Sequence, residues 1–221
     1  QRIHDPAKLH VLDGFMAFAD YLGVPSSQAQ WDLPVTEADL TAVREYLDPH
    51  RKNLLISPCS SKKEKDWLVE RYAAVANWAH QHDINVILCS SPAPRELAMI
   101  EEIKTLCNFE SVDVAGKLSL TQLTALIREV DLVISPDSGP AHIATTQGTP
   151  VIGLYAYHNP LRTGPYNNLD NVVSVYEQNA QKEYGKPSAQ LPWATKLKGQ
   201  NLMAEIEVEE VVKQMEALLL P

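Results

Sequence analysis

The sequence predicts a doubly wound α/β fold, a parallel sheet with helices on both faces, and three observations carry that prediction. Short β-branched apolar runs recur at residues 53–57, 85–89, 111–114, 132–135, 151–155 and 172–175. Helical stretches with one apolar side separate them, at the spacing of strand–helix–strand crossovers. Capping or turn residues punctuate most of the junctions.

The elements follow in order. Residues 9–22 carry Leu12, Phe15, Met16, Ala19 and Leu22 at helical spacing, and Gly23-Val24-Pro25 ends that helix. Residues 26–35 are polar and proline-punctuated, a linker or surface loop. Thr36 serves as N-cap with Asp39 at the third helical position, opening a helix to about Leu47 that Asp48-Pro49 stops. The first strand, 53–57, leads through a serine- and lysine-rich loop into a helix over 67–80, where Trp67, Val69, Tyr72, Ala73, Val75 and Ala76 crowd one side. Pro94 suits the first turn of a helix to about Leu106, and Ser119 caps another to about Arg128. Pro136 stops the fourth strand. Residues 139–147 then carry Ala141, Ile143 and Ala144 in a short helix, which Gly148-Thr149-Pro150 ends before the fifth strand. After the sixth strand, 177–200 reads as polar and irregular, and 208–220 is a final helix with Val208, Val211, Val212, Met215 and Leu219 on one face.

Composition narrows the function. The 221 residues are 45% hydrophobic and 21% charged, which suits one compact domain with or without an appendage. With 28 acidic against 19 basic residues the net charge is −9, and no basic run is interleaved with aromatics, so no nucleic-acid partner is expected. Cys59, Cys89 and Cys107 are scattered without C-x-x-C spacing, as reduced thiols of a cytoplasmic protein would be. No stretch has the apolar length to span a membrane, and no signal peptide is read. The chain begins with Gln1 rather than Met, which suits a fragment of a longer protein.

Two loops carry candidate chemistry. Asp137-Ser138-Gly139-Pro140 joins the fourth strand to its helix, where a parallel sheet presents strand C-termini and a helix N-terminus favours anions. Ser138 and His142 are four apart and share a face of the first turn, and Gly139 admits close backbone approach. A diphosphate site fits; so does an N-cap beside a surface histidine. The second loop, Ser60-Ser61-Lys62-Lys63-Glu64-Lys65, is either a phosphate clamp or a solvated lysine-rich turn. The commonest doubly wound order sets strands one and four side by side, so the two loops face one crevice and a ligand site is preferred. Asp137 would repel a phosphate, so its own charge makes it a cap or a partner for Lys65 or His142.

Rival chemistries fail on their motifs. There is no G-x-G-x-x-G for a dinucleotide and no Asp-x-Asp for a metal-bound diphosphate. Gly148 and Gly153 have P-loop spacing, but Leu154-Tyr155 stand where Lys-Ser/Thr are required. Ser138 lacks the glycine of a nucleophile elbow. Arg162 either faces the crevice or lies on the surface.

The runs S-P-C-S-S-K-K-E-K-D-W-L-V-E-R-Y-A-A, D-S-G-P-A-H-I-A with G-T-P-V-I-G-L-Y, and W-A-T-K-L-K with L-M-A-E-I resemble the donor-binding half of the heptosyltransferases, glycosyltransferase family 9. The resemblance covers about residues 53–220. It implies a Rossmann-like donor domain over 36–221, the C-terminal half of a two-domain enzyme, preceded by an interdomain helix and linker over 1–35. It implies inverting, metal-independent transfer of heptose from ADP-heptose to the inner core of lipopolysaccharide, with no cofactor. By the same match Ser60 and Ser61 bind donor phosphates, and Leu118 meets the adenine. Asp137, Ser138, Gly139 and His142 form the second phosphate loop. Lys65 and His142 are the catalytic pair that stabilises the leaving group. The general base, an aspartate, belongs to the N-terminal domain, which is expected to be missing here and to supply the lipopolysaccharide acceptor site, so this chain alone is expected to be inactive. A cytoplasmic location follows, with peripheral contact at the inner face of the inner membrane as a further expectation. One departure stands out. Where the family's first type has a ribose-binding glutamate, this chain has Cys89-Ser90-Ser91-Pro92, with Ser91 or Glu96 as candidate substitutes. A non-catalytic nucleotide-binding module and a sugar-nucleotide epimerase of the same architecture remain the alternatives.

Overall fold

The computed structural model describes residues 10–24 and 29–220; Leu9, Pro25 and the start of the expected linker lie outside the described residues. Six parallel strands form one sheet in the order β3-β2-β1-β4-β5-β6. The strands are β1 (Asn53–Ile56), β2 (Asn85–Leu88), β3 (Val112–Asp113), β4 (Leu132–Pro136), β5 (Val151–Tyr155) and β6 (Val173–Ser174). Between and around them run α1 (Val11–Tyr21), α2 (Glu37–Val43), α3 (Val69–Gln81), α4 (Pro94–Leu106), α5 (Leu120–Glu129), α6 (Gly139–Gln147), α7 (Pro160–Thr163), α8 (Tyr176–Tyr184) and α9 (Val208–Leu219).

Strands β1, β2, β4 and β5 are buried at every position, as strands covered on both faces must be. Alternation along β1 sends Leu54 and Ile56 to one face and Leu55 to the other. The first face packs on Trp67, Tyr72 and the α9 residues Val211 and Met215; the second packs on Ala125 and Leu126 of α5 and Ala141 and Ala144 of α6. This is a Rossmann-like α/β sandwich.

Thr36 and Asp39 form a reciprocal capping box, as Ser119 and Gln122 do on α5. Gly148 ends α6 at φ 75°, in the left-handed region a side chain would resist.

Some expectations are corrected. The helix from Thr36 stops at Val43 and tightens into a 3-10 turn through Tyr46, because Asn53 brackets Asp48 with two hydrogen bonds and turns the chain outward. α3 starts at Val69 because Leu68 before it is extended, and Trp67 faces inward and donates to Ile206 O at 3.0 Å. Pro136 completes β4 rather than stopping it, since β1 no longer runs alongside after Ile56 pairs with Ile134. The stretch 177–200 is not irregular throughout. α8 occupies its start, buried along Tyr176, Asn179 and Ala180, with Asn179 satisfied by Val175 O at 3.0 Å. On α1 no residue is fully buried, and Phe15 and Leu22 of its apolar stripe stand exposed. The helix is tied down instead by His10 on Gly164 O and by Tyr166 on Asp13.

Candidate functional site

The loops leaving β1, β2, β3 and β4 enclose a cleft of about 360 Å³. It gathers five of the sequence-predicted residues: Ser60, Ser61, Leu118, Ser138 and Gly139. Lys65, Asp137 and His142 do not line it; they form a polar cluster beside it, centred on the Asp137 carboxylate.

The β1 loop is held by a buried acid. Asp66 accepts from the Ser60 N–H at 2.6 Å and pairs with Arg95, whose guanidinium also donates to Ser60 O. Burial raises the Asp66 pKa even against that pull from Arg95. Ser60 is itself buried, and its hydroxyl donates to Lys62 O at 2.7 Å, so the loop engages it internally. Ser61 is exposed. The loop then closes into a 3-10 turn, Lys63–Lys65, that sends Lys65 across to the end of β4.

Ser138 is the N-cap residue of α6 but makes no capping bond; its hydroxyl pairs with Ser135 Oγ at 2.8 Å. The first-turn N–H groups of α6 therefore lack a side-chain cap at the cleft, and Pro140 removes one of them. A Cβ at Gly139 would stand in open space, so the backbone leaves room there for a ligand.

At the cluster, Lys65 Nζ lies 2.7 Å from Asp137 Oδ2, with both side chains largely buried. His158 Nδ1 meets the same oxygen at 2.8 Å. The Tyr155 hydroxyl reaches Thr163 O at 3.1 Å and Asp137 Oδ1 at 3.4 Å. Burial pushes the Asp137 pKa up, but the His158 and Lys65 bonds overcome it and hold the carboxyl at about 2. His142 Nε2 stands 3.9 Å from Asp137 Oδ1, and desolvation lowers its pKa against that carboxylate's pull. Asp137 is thus an anion whose charge is already committed to Lys65 and His158.

Sequence reasoning missed His158, Asp66 and Arg95. The strand order that set β1 beside β4 also sets β5 beside β4, with Pro136 opposite Leu154. A histidine three residues past β5 was therefore within reach of Asp137 by the same rule. Arg162 lies away from the cleft, in a hollow with His10, Phe15 and Trp193. Glu96, in the first turn of α4, does line the cleft, and its Oε2 accepts from Ser91 N at 3.0 Å. Cys59 and Cys89 are free, buried thiols, both pushed up to about 12 by burial. Among the described residues no helix is long and apolar enough to cross a membrane.

Comparison with known proteins agrees with this geometry. Residues 1–194 match the model of glycosyltransferase family 9 (heptosyltransferase). The chain is 69% identical, over 99% of its length, to the lipopolysaccharide core heptosyltransferase OpsX of Haemophilus influenzae, and spans 63% of that relative. Among solved structures it superposes on a family 9 glycosyl transferase of Veillonella parvula with TM-score 0.79 at 24% identity, covering all of this chain and 62% of that one. It also superposes on the ADP-heptose lipopolysaccharide heptosyltransferase II of Escherichia coli with TM-score 0.67 at 22% identity, covering 89% and 55%. A parallel sheet whose β1 and β4 loops border one cleft, and a family model matched over most of the length, lead to one assignment: the chain belongs to glycosyltransferase family 9, the heptosyltransferase family.

Proposed function

We propose that the chain is the donor-binding half of a heptosyltransferase that passes heptose from ADP-heptose, with inversion and without a metal ion, to the inner core of lipopolysaccharide. The observation that carries this reading is the pairing of a buried lysine with an uncapped helix N-terminus at adjacent strand ends, next to a cleft with one apolar wall. In transfer, the bond between the anomeric carbon and the diphosphate oxygen breaks, and its electron pair stays on the diphosphate. Cationic and dipolar groups fixed where that charge develops lower the barrier. Lys65 and the α6 N–H groups take that role, with His142 as a further donor. Ser61 and Ser138 bind the phosphates, while Ser60, whose N–H and hydroxyl are spent on Asp66 and Lys62 O, shapes the loop that presents Ser61. Gly139 lets the phosphates approach, and Asp137 acts through Lys65 rather than on phosphate. Leu118 meets the adenine.

The relatives' names support the substrate: the Haemophilus relative is named for the lipopolysaccharide core, and the Escherichia coli structure for ADP-heptose. On this reading residues 36–221 are the donor domain and 1–35 an interdomain helix and linker. The acceptor site and an aspartate base belong to an N-terminal domain, and the enzyme works in the cytoplasm against a membrane-anchored acceptor. Calorimetric titration with ADP-heptose, ADP, UDP and GDP tests it. Adenine nucleotides are expected to bind tightest; equal binding of all three diphosphates removes Leu118 from base recognition.

Glu96 supplies the carboxylate that the residues just after β2 lack. Its position in the cleft wall suits the ribose hydroxyls. Glu96→Ala is expected to weaken ADP about tenfold or more, the value of a hydrogen bond to a charged group. The 2′,3′-dideoxy analogue should lose nothing. Equal losses for both nucleotides would place Glu96 outside the ribose site.

A further inference from the structure

Lys65 and Asp137 alone pose a difficulty for the reading just given, on which this inference rests. The two charges are paired at 2.7 Å with about 85% of each side chain buried, the exposed fractions being 14% and 15%. A pair this tight is neutral as a unit, and a neutral unit does little for a departing diphosphate. The structure resolves this with a third group. His158 Nδ1 lies 2.8 Å from the very oxygen that Lys65 engages. The other carboxylate oxygen faces the Tyr155 hydroxyl at 3.4 Å and His142 at 3.9 Å.

We propose that His158 is a positioning residue for Lys65: by donating to Asp137 Oδ2 it fixes the carboxylate, so that Lys65 is held by one oxygen and keeps a donor for the leaving diphosphate. An ammonium has three N–H donors. Among the described residues Lys65 spends them on Asp137 Oδ2 and, weakly at 3.4 Å, on Asp137 O, which leaves one for a ligand. Without His158 only Lys65 holds Oδ2, the long Tyr155 contact at 3.4 Å is left to restrain the carboxylate, and the carboxylate tilts onto the ammonium and withdraws the lysine from the phosphate. His158 sits on the leaving-group side, since it shares an oxygen with Lys65. An inverting base must approach the opposite face of the sugar, so His158 is not that base. Its partner is 21 positions earlier in the chain, and only the β4–β5 pairing brings the two together.

The test uses ADP and AMP on the full chain, because only the β-phosphate distinguishes them. His158→Phe is expected to weaken ADP about tenfold while AMP changes less than about twofold, as loss of one charge-assisted hydrogen bond predicts. His158→Asn carries an amide N–H close to the Nδ1 position and should restore ADP to within about threefold of wild type, following the donor geometry of that side chain. His158→Phe should add no further loss in a Lys65→Met background, since the histidine acts through the lysine. Parallel losses for ADP and AMP would mean a structural role and overturn the proposal. So would restoration by His158→Gln but not His158→Asn, which places the contact at Nε2, and so would full additivity with Lys65→Met. If wild type fails to bind ADP at all, the proposed function itself falls. If Lys65→Met weakens ADP but His158→Phe does not, only this inference falls.

Discussion

Replacing Lys65 with alanine is expected to weaken ADP binding by about 1.5–3 kcal/mol, the range for a hydrogen bond to a charged group. The loss falls on the diphosphate, because the side chain is largely buried and aimed at the end of β4 rather than at solvent. His142→Ala and Ser138→Ala are each expected to cost less, because each removes a donor but no cation from beside the diphosphate. Calorimetry at constant ionic strength measures all three. Unchanged affinity in Lys65→Ala would remove the lysine from the site.

Trp67→Ala destabilises the fold by about 3–5 kcal/mol, the usual cost of deleting a buried large aromatic side chain. Trp67 is 2% exposed, packs edge-to-face on Tyr72 at 5.2 Å, and donates to Ile206 O. It stands two residues past Lys65, so it anchors the loop after β1 to the core between β1, α3 and α9. Urea unfolding monitored by far-ultraviolet circular dichroism reads the loss. A value under about 1 kcal/mol, typical of a surface substitution, would mean that the loop is held by Asp66 and Arg95 alone.

Local chemistry decided what the sequence revealed. α6 spans Gly139–Gln147 and α4 spans Pro94–Leu106, the ranges read from the residues, because Pro94 marks the start of α4 and Gly139-Pro140 and Gly148 mark both ends of α6. α8 escaped because its buried stripe includes Asn179, and an asparagine in a polar stretch carries no hydrophobic period. The cleft was legible as two loops because a doubly wound strand order brings β1 and β4 together, and that order is the one observed. Asp137 was read on charge alone as a cap or as a partner for Lys65 or His142; Ser138 is the N-cap residue and Lys65 lies against Asp137. His158, Asp66 and Arg95 stayed hidden for a different reason. Each matters through contacts across the fold, Asp66 lying 29 positions and Ser60 35 positions from Arg95, and no local pattern announces such contacts.

On the proposed reading the protein itself supplies the cationic groups for a nucleoside diphosphate. Titrating the wild-type chain with ADP in excess EDTA, and again with magnesium restored, tests it most directly. Lysine and a helix N-terminus need no metal, so one affinity is expected in both conditions. An affinity that collapses in EDTA and returns with magnesium would contradict it, and would make a bound cation, not Lys65, the group that meets the diphosphate.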